Sequence, residues 1–122
     1  PAAKIRLLSR ALSTQEFDWQ GRNAAVTVSK KMLDEAGAQW EHTEGFVEFP
    51  RSIEGVQVAV FFSEIAEGLY KVSLRSKGRF NIEEVARKFG GGGHINAAAC
   101  RIQGDGDTVK RKLFYAIKNG GR

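Results

Sequence analysis

Four consecutive glycines run straight into a histidine and, two residues on, an amide: Gly90-Gly91-Gly92-Gly93-His94-Ile95-Asn96. Bare backbone N–H groups beside an imidazole that can carry charge suit a phosphate or carboxylate oxygen. An ordered glycine costs about 0.5–1 kcal/mol relative to alanine, so an ordered run of them implies a close backbone approach. One glycine past a helix is ordinary, because the residue there often takes a left-handed conformation. Four exceed that need. Glycine runs near helix ends are most often flexible connectors, and that reading stands beside the ligand-site reading at this stage. His94, Asn96 and the position of the run between well-patterned elements favour the ligand. Neither common phosphate loop fits, since no Gly-Lys-Ser/Thr follows and a helix precedes the glycines.

The elements that must position this stretch are legible on both sides. Asn81 and Glu84 have the spacing of a helix N-cap and its reciprocal partner, and Ile82, Val85, Ala86 and Phe89 recur on one helical face, so a short helix should end at Phe89. Upstream, residues 56–62 are almost wholly apolar, as expected of a central strand covered on both faces. A turn at Glu67-Gly68 leads into a strand where Tyr70, Val72 and Leu74 alternate with Lys71, Ser73 and Arg75. A right-handed crossover could return the helix beside that strand and bring Arg75 near His94. After the glycines, Ala97 to Ala99 are small enough for backbone or ligand to pass closely, and Cys100 to Gln103 should form a strand.

The remaining segments read as framework. Ile5, Leu8 and Leu12 form the stripe of a short opening helix, which has too little apolar surface to stand alone. Phe17 and Trp19, a turn at residues 20–23, then Val26 and Val28 predict a β-hairpin. Ser29 should cap a helix carrying Met32, Leu33 and Ala36 inward, with Gly37 as its stop. Trp40 is expected to pack in the core or rim. Phe46 and Phe49 predict one helical turn ended by Pro50. His42, between Glu41 and Glu44, has no second histidine or cysteine at ligand spacing, so it reads as a loop residue and not as a metal ligand. Asp107 should cap a last helix with Val109, Leu113, Ala116 and Ile117 inward, and with Asp105 it makes a turn, not a calcium loop. Together these elements predict an α/β fold, a mixed sheet of about five strands flanked by helices.

Composition narrows the function class. A chain of 122 residues, 42% hydrophobic, fits one compact domain. Cys100 alone could supply a thiol, so no internal disulfide forms and a reducing, cytoplasmic setting is expected; its apolar surroundings make it an inert packing group. No apolar run approaches the roughly 20 residues of a membrane span. The net charge of +5 is uneven: residues 1–70 hold seven Lys/Arg against ten Asp/Glu, and residues 71–122 hold twelve against four. The basic part is the part with the glycines, which fits an anionic ligand such as a nucleotide or short nucleic acid, although Lys110, Arg111 and Lys112 could simply form the solvated face of a helix.

Phe89-Gly90-Gly91-Gly92-Gly93-His94 followed by Asn96-Ala97-Ala98-Ala99 resembles the Gly-Gly-Gly-His motif of the DHH-associated domain, the C-terminal substrate-binding half of DHH-family phosphoesterases. Thr43-Glu44-Gly45-Phe46-Val47, Pro50-Arg51-Ser52-Ile53, Gly55-Val56-Gln57-Val58-Ala59 and Val72-Ser73-Leu74-Arg75-Ser76 resemble the nanoRNase and oligoribonuclease/pAp-phosphatase branch. Ala99 departs from the glycine that many members carry. The resemblance implies that residues 1–122 form one substrate-binding domain and that residues 1–14 end a linker helix from an N-terminal catalytic DHH domain absent from this sequence. Such enzymes hydrolyse phosphoester bonds with two metal ions, commonly manganese. This chain carries no Asp-His-His, so it should hold no catalytic residue, metal or cofactor of its own and be inactive alone.

By the same resemblance, His94 and the N–H groups of Gly91, Gly92 and Gly93 should bind substrate phosphate with Arg75 as a clamp. Ser76 and Asn96 complete the candidate substrate-binding set, and Arg51 and Lys88 are secondary cations. The implied partners are a short oligoribonucleotide, pAp or a dinucleotide, together with the catalytic domain, and no membrane. A cyclic-dinucleotide phosphodiesterase, a free-standing nucleic-acid-binding module, and an interaction domain whose glycines are only a linker remain alternatives.

Overall fold

A computed structural model describes residues 1–18 and 20–121. The elements are α1 (Ala2–Ser13), β1 (Glu16–Asp18), β2 (Asn23–Val28), α2 (Lys30–Ala36), a 3-10 turn (Trp40–Thr43), α3 (Glu48–Arg51), β3 (Val58–Ala66), β4 (Leu69–Ser76), α4 (Ile82–Arg87), β5 (Gly92–His94), β6 (Ala97–Gln103) and α5 (Gly106–Lys118). The strands form one six-stranded sheet in the order β1-β2-β3-β4-β6-β5. β2 and β3 pair in parallel, and the other neighbours are antiparallel. A parallel pair cannot be closed by a tight turn, so residues 29–57, with α2, the 3-10 turn and α3, cross over one face of the sheet. No helix among the described residues is long and apolar enough to cross a membrane.

Two cores flank the sheet. On one face α4 and α5 press Ile82, Val85, Leu113 and Ile117 onto Val60, Phe62, Val72 and Leu74. On the other, α1 and the crossover press Leu7, Ala11, Leu33 and Phe46 onto Val26, Val28, Ala59 and Phe61, with the Phe46 and Phe61 rings 5.8 Å apart. The hairpin, the Ser29 cap, the left-handed Gly37 stop and the inner stripe of α5 all follow the sequence reading. Trp19 lies outside the described residues.

The mixed sheet of about five strands has six, because the glycine run itself forms β5. Three other expectations are corrected. The inward stripe of α1 is Leu7 and Ala11, with Ala3 and Leu8 beside it, while Ile5 and Leu12 are exposed; alanine at position 11 lets the helix lie close to the sheet. Pro50 stands within α3, not after it, at a first-turn position whose N–H has no helical acceptor to lose. Asp105, not Asp107, caps α5 by accepting the Thr108 N–H at 2.8 Å, and that bond holds its carboxyl below the usual range.

Candidate functional site

Residues paired directly across neighbouring strands share a face of the sheet, so the register defines rows running across it. One row is Ala24, Ala59, Arg75, Ala97 and His94. The next is Val26, Phe61, Ser73, Ala99 and Gly92, and the third is Val28, Ser63, Lys71 and Arg101. Each begins apolar under the crossover and ends small, polar or basic. The helical cover stops at β3. On β4, β6 and β5 this face therefore presents an open floor of Ser73, Ala97, Ala99 and Gly92 with Arg75, His94, Lys71 and Arg101 around it.

A cleft of about 300 Å³ runs along the edge of the cover, walled by Trp40, Thr43, Glu44 and Gly45 and floored by Phe61, Ser73, Lys71 and Arg75. Trp40 packs against the core and also lines this cleft. A second cleft of about 300 Å³ continues from Lys71 past Ala99 and Arg101 to Phe89, Gly90 and Gly91. Arg75 and His94 sit either side of Ala97, two strand spacings or about 10 Å apart, which is the proximity expected from the crossover. His94 is exposed at the edge of the sheet.

Arg75 is held in place by a main-chain carbonyl and a partly exposed carboxylate. Its Nη1 donates to the Leu74 carbonyl at 2.9 Å, and its Nε lies 3.7 Å from Glu48 Oε2. The other oxygen of Glu48 accepts from Arg51 at 3.2 Å, so α3 brings Arg51 to the same rim. Pairs this exposed are worth about 0–1 kcal/mol, and an incoming phosphate can displace the carboxylate.

The glycines divide by cause. Gly90, at φ +80°, and Gly91 close the end of α4: Gly90 N–H donates to Arg87 and Gly91 N–H to Ala86, at 3.1 and 3.0 Å. This is the bonding pattern of a left-handed helix stop; α4 itself ends at Arg87, two residues short of the expected Phe89, with Lys88 and Phe89 in the closing turn. A Cβ on Gly91 would strike the Ala99 carbonyl and Cys100, and one on Gly93 would lie 2.5 Å from the Ala97 carbonyl. The close approach predicted for the run is thus made to the backbone of β6 at these two positions. Gly91 N–H is corrected from phosphate donor to helix cap. At Gly92 a Cβ would meet nothing within 4 Å, so its bareness leaves the floor open. β5 is an edge strand, and backbone groups on the free side of an edge are available to a ligand.

Three further candidates are corrected. Ser76 is buried on the opposite face, where its hydroxyl is shared among the Phe80 carbonyl, the Ile95 carbonyl and the Asn96 amide. Asn96 spends its amide N–H groups on Ser76 Oγ and the Gly78 carbonyl, at 3.0 and 3.1 Å. Both fix the turn that presents His94, so the Ser76 hydroxyl and the Asn96 N–H groups are taken up within the fold. Lys88 lies beside α5, lining a groove with Arg111, Lys112 and Tyr115, away from the Arg75–His94 row. His42 Nδ1 accepts the Gln39 N–H at 3.0 Å, capping the 3-10 turn. Cys100 is buried, and burial pushes its thiol up to about 11, in keeping with an inert group. Sequence reasoning missed Lys71, Ser73 and Arg101 as site residues. Their alternation with buried neighbours was visible, but only the strand order shows which half of the face is uncovered.

The described residues contain no group of three or more His, Cys, Asp or Glu side chains able to hold a metal ion. The groups that the uncovered face does present are the Arg75 guanidinium, the Lys71 and Arg101 side chains, the His94 imidazole and the main chain of β5.

Comparisons with known proteins converge. The chain is 35% identical over 119 residues to the bifunctional oligoribonuclease and PAP phosphatase NrnA of Thermus thermophilus, covering 97% of this chain and 35% of the relative. It is 37% identical to the probable enzyme of that name from Streptococcus mutans, covering 98% of this chain and 37% of the relative. The chain thus spans little more than a third of the length of these relatives. The crystal structure of an exopolyphosphatase-related protein from Bacteroides fragilis superposes with a TM-score of 0.89 at 28% identity, over 98% of this chain and 35% of that one. The DHHA1 domain profile matches residues 22–118, and the chain belongs to the DHHA1 domain family of the DHH phosphoesterases.

Proposed function

We propose that this chain is the substrate-binding lobe of a DHH-family phosphoesterase acting on short oligoribonucleotides, pAp or a dinucleotide. The observation that carries this reading is the uncovered half of the sheet face, a floor of small side chains edged by Arg75, His94, Lys71 and Arg101. Arg75 and His94 grip the phosphate from two sides through charge-assisted hydrogen bonds, and outward N–H groups of Gly92 or Gly93 add a main-chain donor. Bases or sugar lie on Ala97 and Ala99, with Trp40 at the cleft wall. The names of the relatives with similar sequences support the nucleotide class.

Hydrolysis belongs to a separate catalytic DHH domain, to which α1 leads and where manganese would be bound. This lobe contributes rate by holding the phosphate and one end of the substrate in register with that domain. A reducing, cytoplasmic setting suits the lone buried thiol.

Titration of a 5′-phosphorylated mononucleotide and dinucleotide, followed through the His94 ring by NMR, tests the reading. His94→Ala and Arg75→Gln should each weaken binding about ten- to a hundredfold, and Ala99→Leu should weaken it without loss of stability. Lys112→Ala should change it less than twofold. A His94 ring that ignores both ligands sinks the proposal. Supplying the catalytic domain and manganese and assaying cleavage of short RNA separates a lobe of an enzyme from a free-standing nucleic-acid-binding module, which predicts no gain of activity.

A further inference from the structure

Lys71 and Arg101 stand directly opposite each other on β4 and β6, both exposed, and both line the second cleft where it meets the first. Side chains so placed have Cβ atoms only about 4.5–5.5 Å apart, and like charges in that relation destabilise a sheet. Neither cation joins an ion pair among the described residues. The next residue in their row, Ser63, is uncharged. Glu44 is the single acid lining either cleft, and it too joins none of those pairs. The repulsion is thus left in place at a surface where the chain could easily have put an acid.

This pair lies four residues along β4 from the row of Arg75 and His94, which is about 13 Å at the rise of an antiparallel strand. Between the two rows runs the flat floor of Ser73, Ala99 and Gly92. We propose that Lys71 and Arg101 form a second anion clamp, which holds a substrate phosphate two nucleotide steps from the one held at Arg75 and His94. The proposal rests on the reading of that row as the first phosphate site. Phosphates two steps apart in an extended strand bridge the distance, whereas the two phosphates of a single nucleotide do not. Two cations on neighbouring strands grip a phosphate without reading a base, so the clamp measures length and not sequence. An anion placed between them also relieves their mutual repulsion.

Calorimetric titration of this chain with 5′-phosphorylated mono-, di- and trinucleotides of RNA at fixed salt tests the clamp. Affinity should step up about tenfold from the dinucleotide to the trinucleotide, as expected for one added charge-assisted contact. In Lys71→Gln/Arg101→Gln that step should vanish, trinucleotide affinity falling to within twofold of dinucleotide affinity, and the salt slope for the trinucleotide should fall by about 0.7, the single-strand value for one phosphate. Lys71→Arg, which keeps the charge, should keep the step. A step that survives the double substitution, an equal loss for all three ligands, or no step in the unaltered chain overturns the clamp. In the first and last of these cases, mononucleotide binding that still depends on His94 leaves the proposed function standing. Failure to bind any of the three overturns both.

Discussion

The two halves of one sheet face differ in a single respect, whether the chain has laid a helix over them. On β2 and β3 the three rows carry Ala24, Val26, Val28, Ala59 and Phe61, all buried beneath α1 and the crossover. On β4 and β6 the same rows carry Arg75, Ser73, Lys71 and Arg101, and none of these is buried. A parallel pair demands a long crossover, and that crossover roofs only the strands it joins. The antiparallel strands beyond need no such connection on this face and stay bare. The candidate site is thus the part of the sheet that topology leaves open.

That contrast breaks most visibly at α1. Leu7→Ala should cost about 2–5 kcal/mol by chemical denaturation, the range for emptying a buried leucine site, while the folded fraction keeps its nucleotide affinity. Ile5→Ala, on the exposed side of the same helix, should cost less than about 0.5 kcal/mol. Equal costs would mean that the roof does not lie as described.

A sharper version uses neighbouring glycines. Gly91→Ala should cost about 1–3 kcal/mol through overpacking against β6 and weaken nucleotide binding by displacing the edge. Gly92→Ala should leave stability within about 0.5 kcal/mol, so that any loss of binding reports the floor itself. The smallest effect concerns the face turned away from the site. The Cys100 thiol, raised from 9.0 to about 11, should leave stability unaffected below pH 9. Stability should then fall as pH rises from 9 to 11, because the unfolded chain ionises first. The same titration of Cys100→Ala should lack that part of the slope.

The sequence made most of the framework legible, and its failures have physical causes. Alternation in residues 69–75 gave β4 and the shared face of Lys71, Ser73 and Arg75, because a half-buried strand writes its burial with period two. Glycine carries no such signal and disfavours strands, so β5 was hidden in the residues that looked most like a loop. The stripe of α1 was misread because an inward alanine is quieter than an outward isoleucine. Arg75 and His94 stand out through their motifs, and the strand pairing sets them in one row. Ser76 and Asn96 belong to the same motifs, yet the Ser76 hydroxyl and the Asn96 N–H groups are bonded inside the fold, which only coordinates reveal. Lys71 and Arg101 come together through pairing between strands some thirty positions apart, and no local pattern encodes that.

The edge strand also has a mechanical side. β5 has no side chain before His94, and backbone bonds clasp the segment to α4 at both ends, Gly91 N–H to the Ala86 carbonyl and Ile82 N–H to the Ile95 carbonyl, at 3.0 and 2.8 Å. Strand and helix must therefore shift as one stiff piece. A pull on the imidazole is carried to the helix, and anything that leans on the helix is felt at the imidazole.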